Sequence, residues 1–290
     1  MYKVAILGSE NSHADTFLEF VIREKRVTDV EIVGVYSDEE DAIKKQQEKY
    51  GVYAASSYDE FVGKIDGLII TARHGDNHYK YAKPYISSGI PMFIDKPITI
   101  NEQEAVVFME ELKRNKVRVS GGSMCIHAPF VQELKRAVKD KTYGEVLSGY
   151  FRAPLKCDET YGGFFFYAQH MVQVMCEIFG YEVKSVHAIN QGNVCTCVFH
   201  YDAFHVVGSF VERNGLYYAG ISCEKDFVGS VYKLEKCAEK EFDTYYQILT
   251  GGKQEQSYDL FIAPVFILNA IYRSIKSGNE ERVNAIEQFK

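Results

Sequence analysis

Short apolar runs alternate with helical patterns along the first 120 residues, at a spacing of 25–35 residues. Runs of this length are typical of buried strands, and the stretches between them have the mixed polarity of surface helices. The alternation predicts a parallel sheet with helices on both faces. We assign strands to 2–7, 30–36, 52–54, 67–71, 92–94 and 117–120, and helices to about 13–21, 39–49, 57–62, 77–88 and 102–115.

The pattern changes after Gly121-Gly122, where strands begin to dominate. The dipeptide Asn214-Gly215 is a hairpin signal between two of these strands. A mostly antiparallel open sheet is therefore predicted, in an α+β domain that follows the α/β domain. The boundary near residue 121 divides the chain into domains 1–121 and 122–290. The second domain is assigned strands at 144–151, 183–189, 193–200, 204–212, 216–223 and 227–234, and helices at 127–140, 170–179 and 259–277.

Composition excludes several classes of protein. The net charge of −7 argues against nucleic-acid binding, which usually requires a basic surface. No apolar run reaches the ~18 residues of a membrane span, and the first residues lack the features of a signal peptide. Seven scattered cysteines without a C-x-x-C pair are expected to be free thiols, and the dispersed histidines predict no metal site. We therefore expect a cytoplasmic protein that acts on a small molecule, without nucleic-acid or membrane partners.

A binding site is expected at the carboxyl ends of the parallel strands, where such sheets hold their ligands. The first strand-to-helix turn runs from Gly8 to His13 and keeps only the first glycine of the dinucleotide motif G-x-G-x-x-G. Glu10 stands at the second glycine position, where a carboxylate beside a pyrophosphate is unfavourable unless it points away. The amides that begin the following helix, with Asn11 and Ser12, are still suited to hold phosphate. A strand–helix–strand unit that binds no nucleotide remains the alternative.

Ser37 and Asp38 end the second strand. A carboxylate at this position typically accepts a hydrogen bond from the adenosine ribose, which favours NAD, whereas an Arg would favour NADP. The sequence is compatible with both NAD and NADP, and it favours NAD.

The stretch Phe93-Ile94-Asp95-Lys96-Pro97 fixes a Lys between a carboxylate and a Pro at the end of a predicted strand. With this stretch, the chain resembles the Gfo/Idh/MocA oxidoreductases, the glucose–fructose oxidoreductase and inositol dehydrogenase family, whose signature here is Glu-Lys-Pro. The resemblance covers nearly the whole chain. It also rests on Asp66 to Ala72, His78, Gly89-Ile90-Pro91, Gly144-Glu145-Val146 and Tyr161 to His170.

The resemblance implies a Rossmann-type domain, a nicotinamide cofactor, a carbohydrate-like substrate and a homodimer or homotetramer. His170 matches the histidine of the family's catalytic region. Phe166 is a departure, because the family frequently has an Asp four residues before that histidine, and Arg73 stands where the family often has Pro. The cofactor-binding residues implied are Gly8, Asn11, Ser12, His13, Ser37, Asp38, Thr71, Arg73, His78, Asp95 and Lys96.

The predicted reaction is reversible hydride transfer between a secondary alcohol and a nicotinamide, and it requires a group that takes the hydroxyl proton. Lys96 either polarises the substrate oxygen as a cation or, with a lowered pKa, exchanges the proton. His170 orients the substrate or acts as acid and base, and Tyr167 is the nearest hydroxyl to the missing acid. Two alternatives remain: a catalytically inactive nucleotide- or sugar-binding protein of the same fold, and a lyase or glycosidase that uses NAD transiently.

Overall fold

The computed structural model describes all 290 residues. In residues 1–122 strands and helices alternate as predicted. The strands are β1 (Tyr2–Leu7), β2 (Val30–Tyr36), β3 (Gly67–Ile70), β4 (Met92–Asp95) and β5 (Val119–Gly122). The helices are α1 (Ser12–Leu18, continued by a π-helical turn Glu19–Arg23), α2 (Glu40–Tyr50), α3 (Asp76–Ile86) and α4 (Glu102–Arg114).

Strands dominate the rest of the chain. They are β6 (Val146–Pro154), β7 (Ser185–Gln191), β8 (Val194–His200), β9 (His205–Val211), β10 (Tyr217–Cys223), β11 (Phe227–Tyr232) and β12 (Glu281–Arg282). The helices are α5 (Pro129–Lys139), α6 (Phe165–Phe179), α7 (Cys237–Leu249) and α8 (Tyr258–Ser277).

The chain forms two compact units. The first comprises Met1–Thr99, Gln103–Gly122 and Ala238–Tyr258, and the second comprises Ile100–Glu102, Ser123–Cys237 and Asp259–Lys290. The chain passes from the first unit to the second after Gly122, and residues 238–258 belong to the first unit again.

The first unit is built on a five-stranded sheet in the order β2-β1-β3-β4-β5, with every pair parallel. All residues of β3 and β4 are buried, as expected for strands covered on both faces. Helix α7 returns to this sheet and places Phe242 beside Phe17 of α1, at a ring distance of 5.5 Å. Its Tyr245 lies edge-on to Phe93 of β4. The apolar face of a helix from the far end of the chain thus completes this core.

Three assignments made from sequence are wrong in detail. Residues 52–54 form only one bridge, from Ala54 to Val35, because too few residues run beside β2 to build a strand. Residues 57–62 form turns, held in part by hydrogen bonds from Ser56 to the Glu60 carboxylate. Helix α6 begins five residues before the predicted start, directly after two glycines with positive φ, Gly162 and Gly163.

The second unit is built on a seven-stranded sheet in the order β11-β10-β6-β9-β8-β7-β12. All its pairs are antiparallel except β6 with β9, which confirms the prediction of a mostly antiparallel sheet. Alternate residues along β6 and β8 to β10 are buried, so one face packs into the core. Cys195 and Cys197 lie on that face with their sulfurs 3.9 Å apart, and all seven cysteines are free.

Helix α8 is long and apolar enough to cross a membrane by those two criteria alone. Its apolar residues, including Val265, Leu268 and Ile271, are buried within the structure. It has the character of the core helix of a globular domain.

Candidate active site

The turn after β1 lies against the residue that follows β3. Gly8 has a φ of +78°, and a Cβ on it would lie 2.2 Å from the backbone nitrogen of Ala72. The Thr71 hydroxyl donates a hydrogen bond of 3.0 Å to the Gly8 carbonyl oxygen. Only glycine satisfies both the conformation and the close approach. The one glycine of the motif that the chain retains is therefore the one that this packing requires.

Glu10, in the position of the second glycine, points its carboxylate across the strand ends. One oxygen accepts from the Ser37 hydroxyl after β2 at 2.7 Å, and the other accepts from the Arg73 amide after β3 at 2.9 Å. The carboxylate is thus held by donors from two other loops of the first unit. Its negative charge lies near the end of β2, which is where a cofactor's adenosine ribose is expected in such folds.

Asp38 is also an acceptor at the end of β2. Its two oxygens accept from the hydroxyls of Tyr36 at 2.5 Å and Tyr81 at 2.7 Å, and Lys80 lies 3.7 Å away. Partial burial opposes ionisation, but the two hydrogen bonds and the Lys80 charge outweigh it and lower the pKa of Asp38. Asp38 is therefore an oriented anion at neutral pH, and half of its side chain is exposed.

Asp95 joins the end of β4 to the start of α1. One oxygen accepts from the Asn11 side-chain amide at 3.0 Å and pairs with Nδ1 of His13 at 3.0 Å. The other accepts from the backbone amide of Lys96 at 2.7 Å. Asn11 also caps α1, because its side-chain oxygen accepts from the amide of His13. The fully buried carboxylate thus holds the first turn and the Lys96 segment together.

Glu241 of α7 is the third charged member of this cluster. It is 1% exposed, its Oε2 lies 3.8 Å from Nδ1 of His13, and neither of its carboxyl oxygens makes a hydrogen bond within the protein. Burial raises the pKa of Glu241 to about 8, although the charge of His13 opposes this. Glu241 therefore carries a proton at neutral pH. We call His13, Asp95 and Glu241 the buried triad.

The other two members of the buried triad are ionised at neutral pH. Burial alone disfavours a cationic His13, but the charges of Asp95 and Glu241 raise its pKa to about 9. Burial likewise disfavours a charged Asp95, and His13 together with Lys96 lowers its pKa to about 2. The triad is thus an ion pair with a neutral acid beside it.

Lys96 follows Asp95, is 4% exposed, and is joined to Pro97 by a cis peptide bond. His78 is fully buried, and its two ring nitrogens lie 2.8 Å and 3.2 Å from the carbonyl oxygens of Ala72 and Ile98. The His78 ring therefore contacts the segments that follow β3 and β4.

The predicted cofactor-binding residues differ in their exposure to solvent. Thr71, His78 and Asp95 are fully buried, and His13 is turned into the buried triad, so these four shape the site rather than present polar atoms at its surface. The more accessible residues are Ser12, Asp38 and Arg73.

In the second unit, the catalytic candidate His170 is buried within α6. Its Nδ1 lies 2.7 Å from the Ser123 hydroxyl and 3.4 Å from the Cys125 sulfur. Ser123 in turn caps the short 3₁₀ helix Met124–His127, because its hydroxyl accepts from the Cys125 amide. The imidazole is therefore oriented by a hydroxyl that is itself fixed by the backbone.

Tyr167 lies one turn of α6 before this histidine, with ring centroids 4.6 Å apart. Its hydroxyl lies 3.4 Å from that of Tyr217 on β10, and the Lys156 ammonium lies 5.1 Å from the centre of its ring. The Phe166 ring makes a tilted contact with the Tyr161 ring, with centroids 5.3 Å apart. The Tyr217 phenol and the Lys156 cation thus both lie beside Tyr167.

Sequence reasoning missed several of these residues. Glu241 lies in a charged segment that gave no signal of burial, and Lys156, Tyr217 and Ser123 lie in no motif. The sequence predicts Glu10 only as unfavourable beside a pyrophosphate, although its hydrogen-bond partners Ser37 and Arg73 are both among the predicted cofactor-binding residues.

The chain is similar to known proteins in the sequence of its first unit and in its fold. Residues 2–123 match a family model described as the GFO_IDH_MocA oxidoreductase family with an NAD-binding Rossmann fold. These residues belong to the Gfo/Idh/MocA family. The parallel first sheet and the mostly antiparallel second sheet are those of the Gfo/Idh/MocA fold.

Two curated relatives are each 24% identical to the chain. Oxidoreductase P35 of Formosa agariphila aligns over 65% of this chain and 63% of its own length. Glucose-6-phosphate 3-dehydrogenase of Bacillus subtilis aligns over 51% of this chain and 41% of its own length. The alignments thus span from two fifths to just under two thirds of these relatives.

The fold extends over nearly the whole chain. The structure of scyllo-inositol dehydrogenase from Lactobacillus casei, with bound NAD(H) and scyllo-inositol, superposes with a TM-score of 0.85 over 98% of this chain and 100% of that one. The identity is 12%, so this likeness concerns the fold.

The buried triad predicts a pH dependence of stability. Folding raises the pKa of His13 from 6.5 to about 9, so its stabilisation is complete below pH 6.5 and is lost as the pH rises through 9. The pKa of Glu241 rises from 4.5 to about 8, so stability also falls as the pH rises from 4.5 to 8. The lowered pKa of Asp95 adds stability above pH 3.8 that is lost only as the pH falls through about 2. We expect the free energy of unfolding, measured with urea, to fall between pH 6.5 and 8.

Glu241→Gln is expected to halve, roughly, the slope of the free energy of unfolding against pH in this range. The reason is that one of the two protons taken up on folding is then absent. Glu239→Gln, on the same helix but less buried, is the matched control and is expected to leave the slope unchanged. Equal slopes in the wild type and in Glu241→Gln would contradict the assignment of a proton to Glu241.

Proposed function

We propose that this chain is an NAD(H)-dependent dehydrogenase that transfers hydride between the nicotinamide and a secondary alcohol of a sugar- or polyol-like substrate. The observation that carries the proposal is the position of Lys96. It lies at the carboxyl end of β4 in a parallel sheet of dinucleotide-binding type, and its segment is held to the first turn by Asp95.

The residues at the strand ends of the first unit fit a dinucleotide. Gly8, the first residue of the turn, has no side chain, as its close approach to Ala72 requires. The turn leads into the N-terminus of α1, whose backbone amides are suited to bind phosphate. Asp38 and Glu10 bring two carboxylates to the end of β2. They suit ribose hydroxyls and repel a 2′-phosphate, so NAD is favoured over NADP.

The chemistry follows from what alcohol oxidation requires. The bound nicotinamide supplies the hydride acceptor. As hydride leaves carbon, the hydroxyl proton must pass to a base, and the alcohol becomes a ketone. Lys96 is proposed to polarise the oxygen and exchange this proton. In the second unit, His170, oriented by Ser123, and Tyr167 are the proposed substrate-binding residues.

The substrate class rests on the relatives and on polar groups of the second unit. The curated relative from Bacillus subtilis is named as a sugar-phosphate dehydrogenase, and the Lactobacillus casei enzyme holds an inositol. Lys156, Tyr167 and Tyr217 offer a cation and two hydroxyls to a polyhydroxylated ligand.

The cofactor preference is tested by calorimetric titration with NAD, NADH, NADP and NADPH. We expect the NAD pair to bind at least about tenfold more tightly than the NADP pair, a difference of about 1.4 kcal/mol. Asp38→Ala is expected to weaken NADH binding and to reduce the preference for NAD over NADP. Asp41→Ala, on the exposed surface of α2, is the matched control. Absence of binding to all four nucleotides would overturn the proposal and support the inactive binding protein.

Turnover is tested by following NADH formation with a panel of polyols, inositols and sugars. Lys96→Ala is expected to lower kcat by about 10²-fold or more, the usual contribution of general acid–base catalysis, with a smaller effect on NADH binding. Tyr167→Phe is expected to reduce kcat by less, and Tyr53→Phe, an exposed tyrosine of the first unit, provides the control. Substrate consumption without net NADH would replace the dehydrogenase with the lyase- or glycosidase-type reaction.

Self-association is proposed through the face of the seven-stranded sheet opposite to its core. Phe227, Val231 and Tyr150 are between 41% and 55% exposed, and the rings of Tyr150 and Phe227 are in edge contact. We expect a dimer or tetramer by light scattering, and a monomer for the double variant Phe227→Asp with Val231→Asp. Val107→Asp, an exposed valine of the first unit, is the control. A wild-type monomer would contradict this proposal.

A further inference from the structure

Three tyrosine rings pack against one another where β2 ends. Tyr36 is the last residue of β2, Tyr58 lies in the turns at 57–62, and Tyr81 lies on α3. The centroid of the Tyr81 ring lies 5.7 Å from that of Tyr36 and 5.3 Å from that of Tyr58. The centroids of Tyr36 and Tyr58 are 6.1 Å apart. We call these three residues the tyrosine cluster. Each ring limits the movement of the other two.

Two hydroxyls of the tyrosine cluster fix the Asp38 carboxylate. Tyr36 donates to one oxygen at 2.5 Å, and Tyr81 donates to the other at 2.7 Å. Because both oxygens are held, the carboxylate cannot rotate without breaking a hydrogen bond. Tyr81 is 1% exposed, so water competes little for its hydroxyl. Half of the Asp38 side chain is nevertheless exposed, and its accessible part is therefore presented in one orientation.

Lys80 lies near Asp38 without closing over it. Its ammonium is 3.7 Å from the Asp38 oxygen that accepts from Tyr81, which is longer than a hydrogen bond. The same ammonium lies 5.5 Å and 5.3 Å from the ring centroids of Tyr58 and Tyr81, where the ring faces attract it. A carboxylate has about four acceptor positions, and the two tyrosines use one on each oxygen. Both oxygens of Asp38 thus keep capacity for a further donor.

We propose that Tyr36 and Tyr81 are positioning residues for cofactor selection, because they hold Asp38 in the orientation that accepts from the adenosine ribose of NAD. This role rests on the proposed function, which assigns the ribose to Asp38. A carboxylate that is ordered before the cofactor arrives binds a hydroxyl without the entropy cost of immobilising its own side chain. A 2′-phosphate is repelled by the same anion and gains nothing from this order.

The test compares the binding of NADH and NADPH by calorimetry in the wild type and in Tyr81→Phe, which keeps the ring and removes the hydroxyl. We expect the Kd of NADH to rise about fivefold, equivalent to about 1 kcal/mol, and the Kd of NADPH to change by less than about twofold. Tyr36→Phe is expected to act in the same direction, and it replaces Tyr81→Phe if that variant does not fold.

Tyr85→Phe is the matched control. Tyr85 lies one turn after Tyr81 on α3 and is likewise 1% exposed. Its hydroxyl donates to the Tyr58 carbonyl oxygen at 2.7 Å and not to Asp38. The variant therefore loses a buried hydroxyl of the same helix without releasing the carboxylate. It is expected to leave both dissociation constants unchanged.

A double-mutant cycle separates the positioning of Asp38 from a structural role of Tyr81. In the Asp38→Ala background, Tyr81→Phe is expected to have no further effect on NADH binding, because the group that Tyr81 holds is already absent. An equal loss of NADH affinity with and without Asp38 would overturn the proposal, since Tyr81 would then act by another route.

The hold on Asp38 is also measurable without a nucleotide. The carboxyl carbon is followed by NMR in protein labelled with ¹³Cγ-aspartate, with the Asp38 signal assigned by its absence in Asp38→Asn. Tyr81→Phe is expected to raise the pKa of Asp38, because a hydrogen bond to the ionised form is lost. Tyr85→Phe is expected to leave it unchanged.

The outcomes distinguish this role from the proposed dehydrogenase. Unchanged NADH binding in Tyr81→Phe, while the wild type binds NADH, would overturn the role of the tyrosines and leave the dehydrogenase in place. An equal loss of NADH and NADPH affinity would also overturn it, because the hydroxyl would then not act in selection. Absence of nucleotide binding in the wild type would overturn both.

Discussion

The Asp95 carboxylate is the interaction on which the proposed site of the first unit depends. A buried carboxylate is costly unless it is paired and hydrogen-bonded. Here Asn11, His13 and the Lys96 amide supply the partners, and they come from the first turn, the first helix and the end of β4. Removing one partner would leave a charge uncompensated in the core. The position of Lys96 and the conformation of the turn after β1 are therefore set by the same group.

This interaction explains how the turn tolerates the loss of two glycines. Glu10 and His13 occupy the second and third motif positions, and each has a partner outside the turn. Glu10 is held by Ser37 and Arg73, and His13 is held by Asp95 and Glu241. The usual glycines allow close approach of backbone and phosphate. In this chain only Gly8 keeps that role, and polar side chains fix the rest of the turn.

The sequence was sufficient to predict the parallel sheet, the antiparallel sheet and the strand-end positions of Gly8, Asp38 and Lys96, because apolar runs and turn residues are local signals. It was insufficient for α7. Lys240 and Asp243 flank Glu241 and make that segment resemble a surface helix, whereas Phe242 and Tyr245 bury its other face in the first unit. Glu241 is buried beside His13, and no local pattern predicts a contact between residues so far apart in the chain. The strand predicted at 52–54 is wrong for the opposite reason. Its residues have a strand-like local pattern, but they form only one bridge to β2.

The second unit departs from the family resemblance at Phe166, which precedes His170 by one helical turn. Positions 166 and 170 lie on the same side of α6, so an Asp at 166 would place a charge beside the imidazole. Phe166 instead makes a tilted ring contact with Tyr161, and the polar groups around Tyr167 are the Tyr217 hydroxyl and the Lys156 ammonium. The polar groups that the structure brings to Tyr167 are therefore a cation and a phenol, and no carboxylate enters from position 166. If this part of α6 contacts a substrate, as proposed, recognition there rests on a cation and hydroxyl groups.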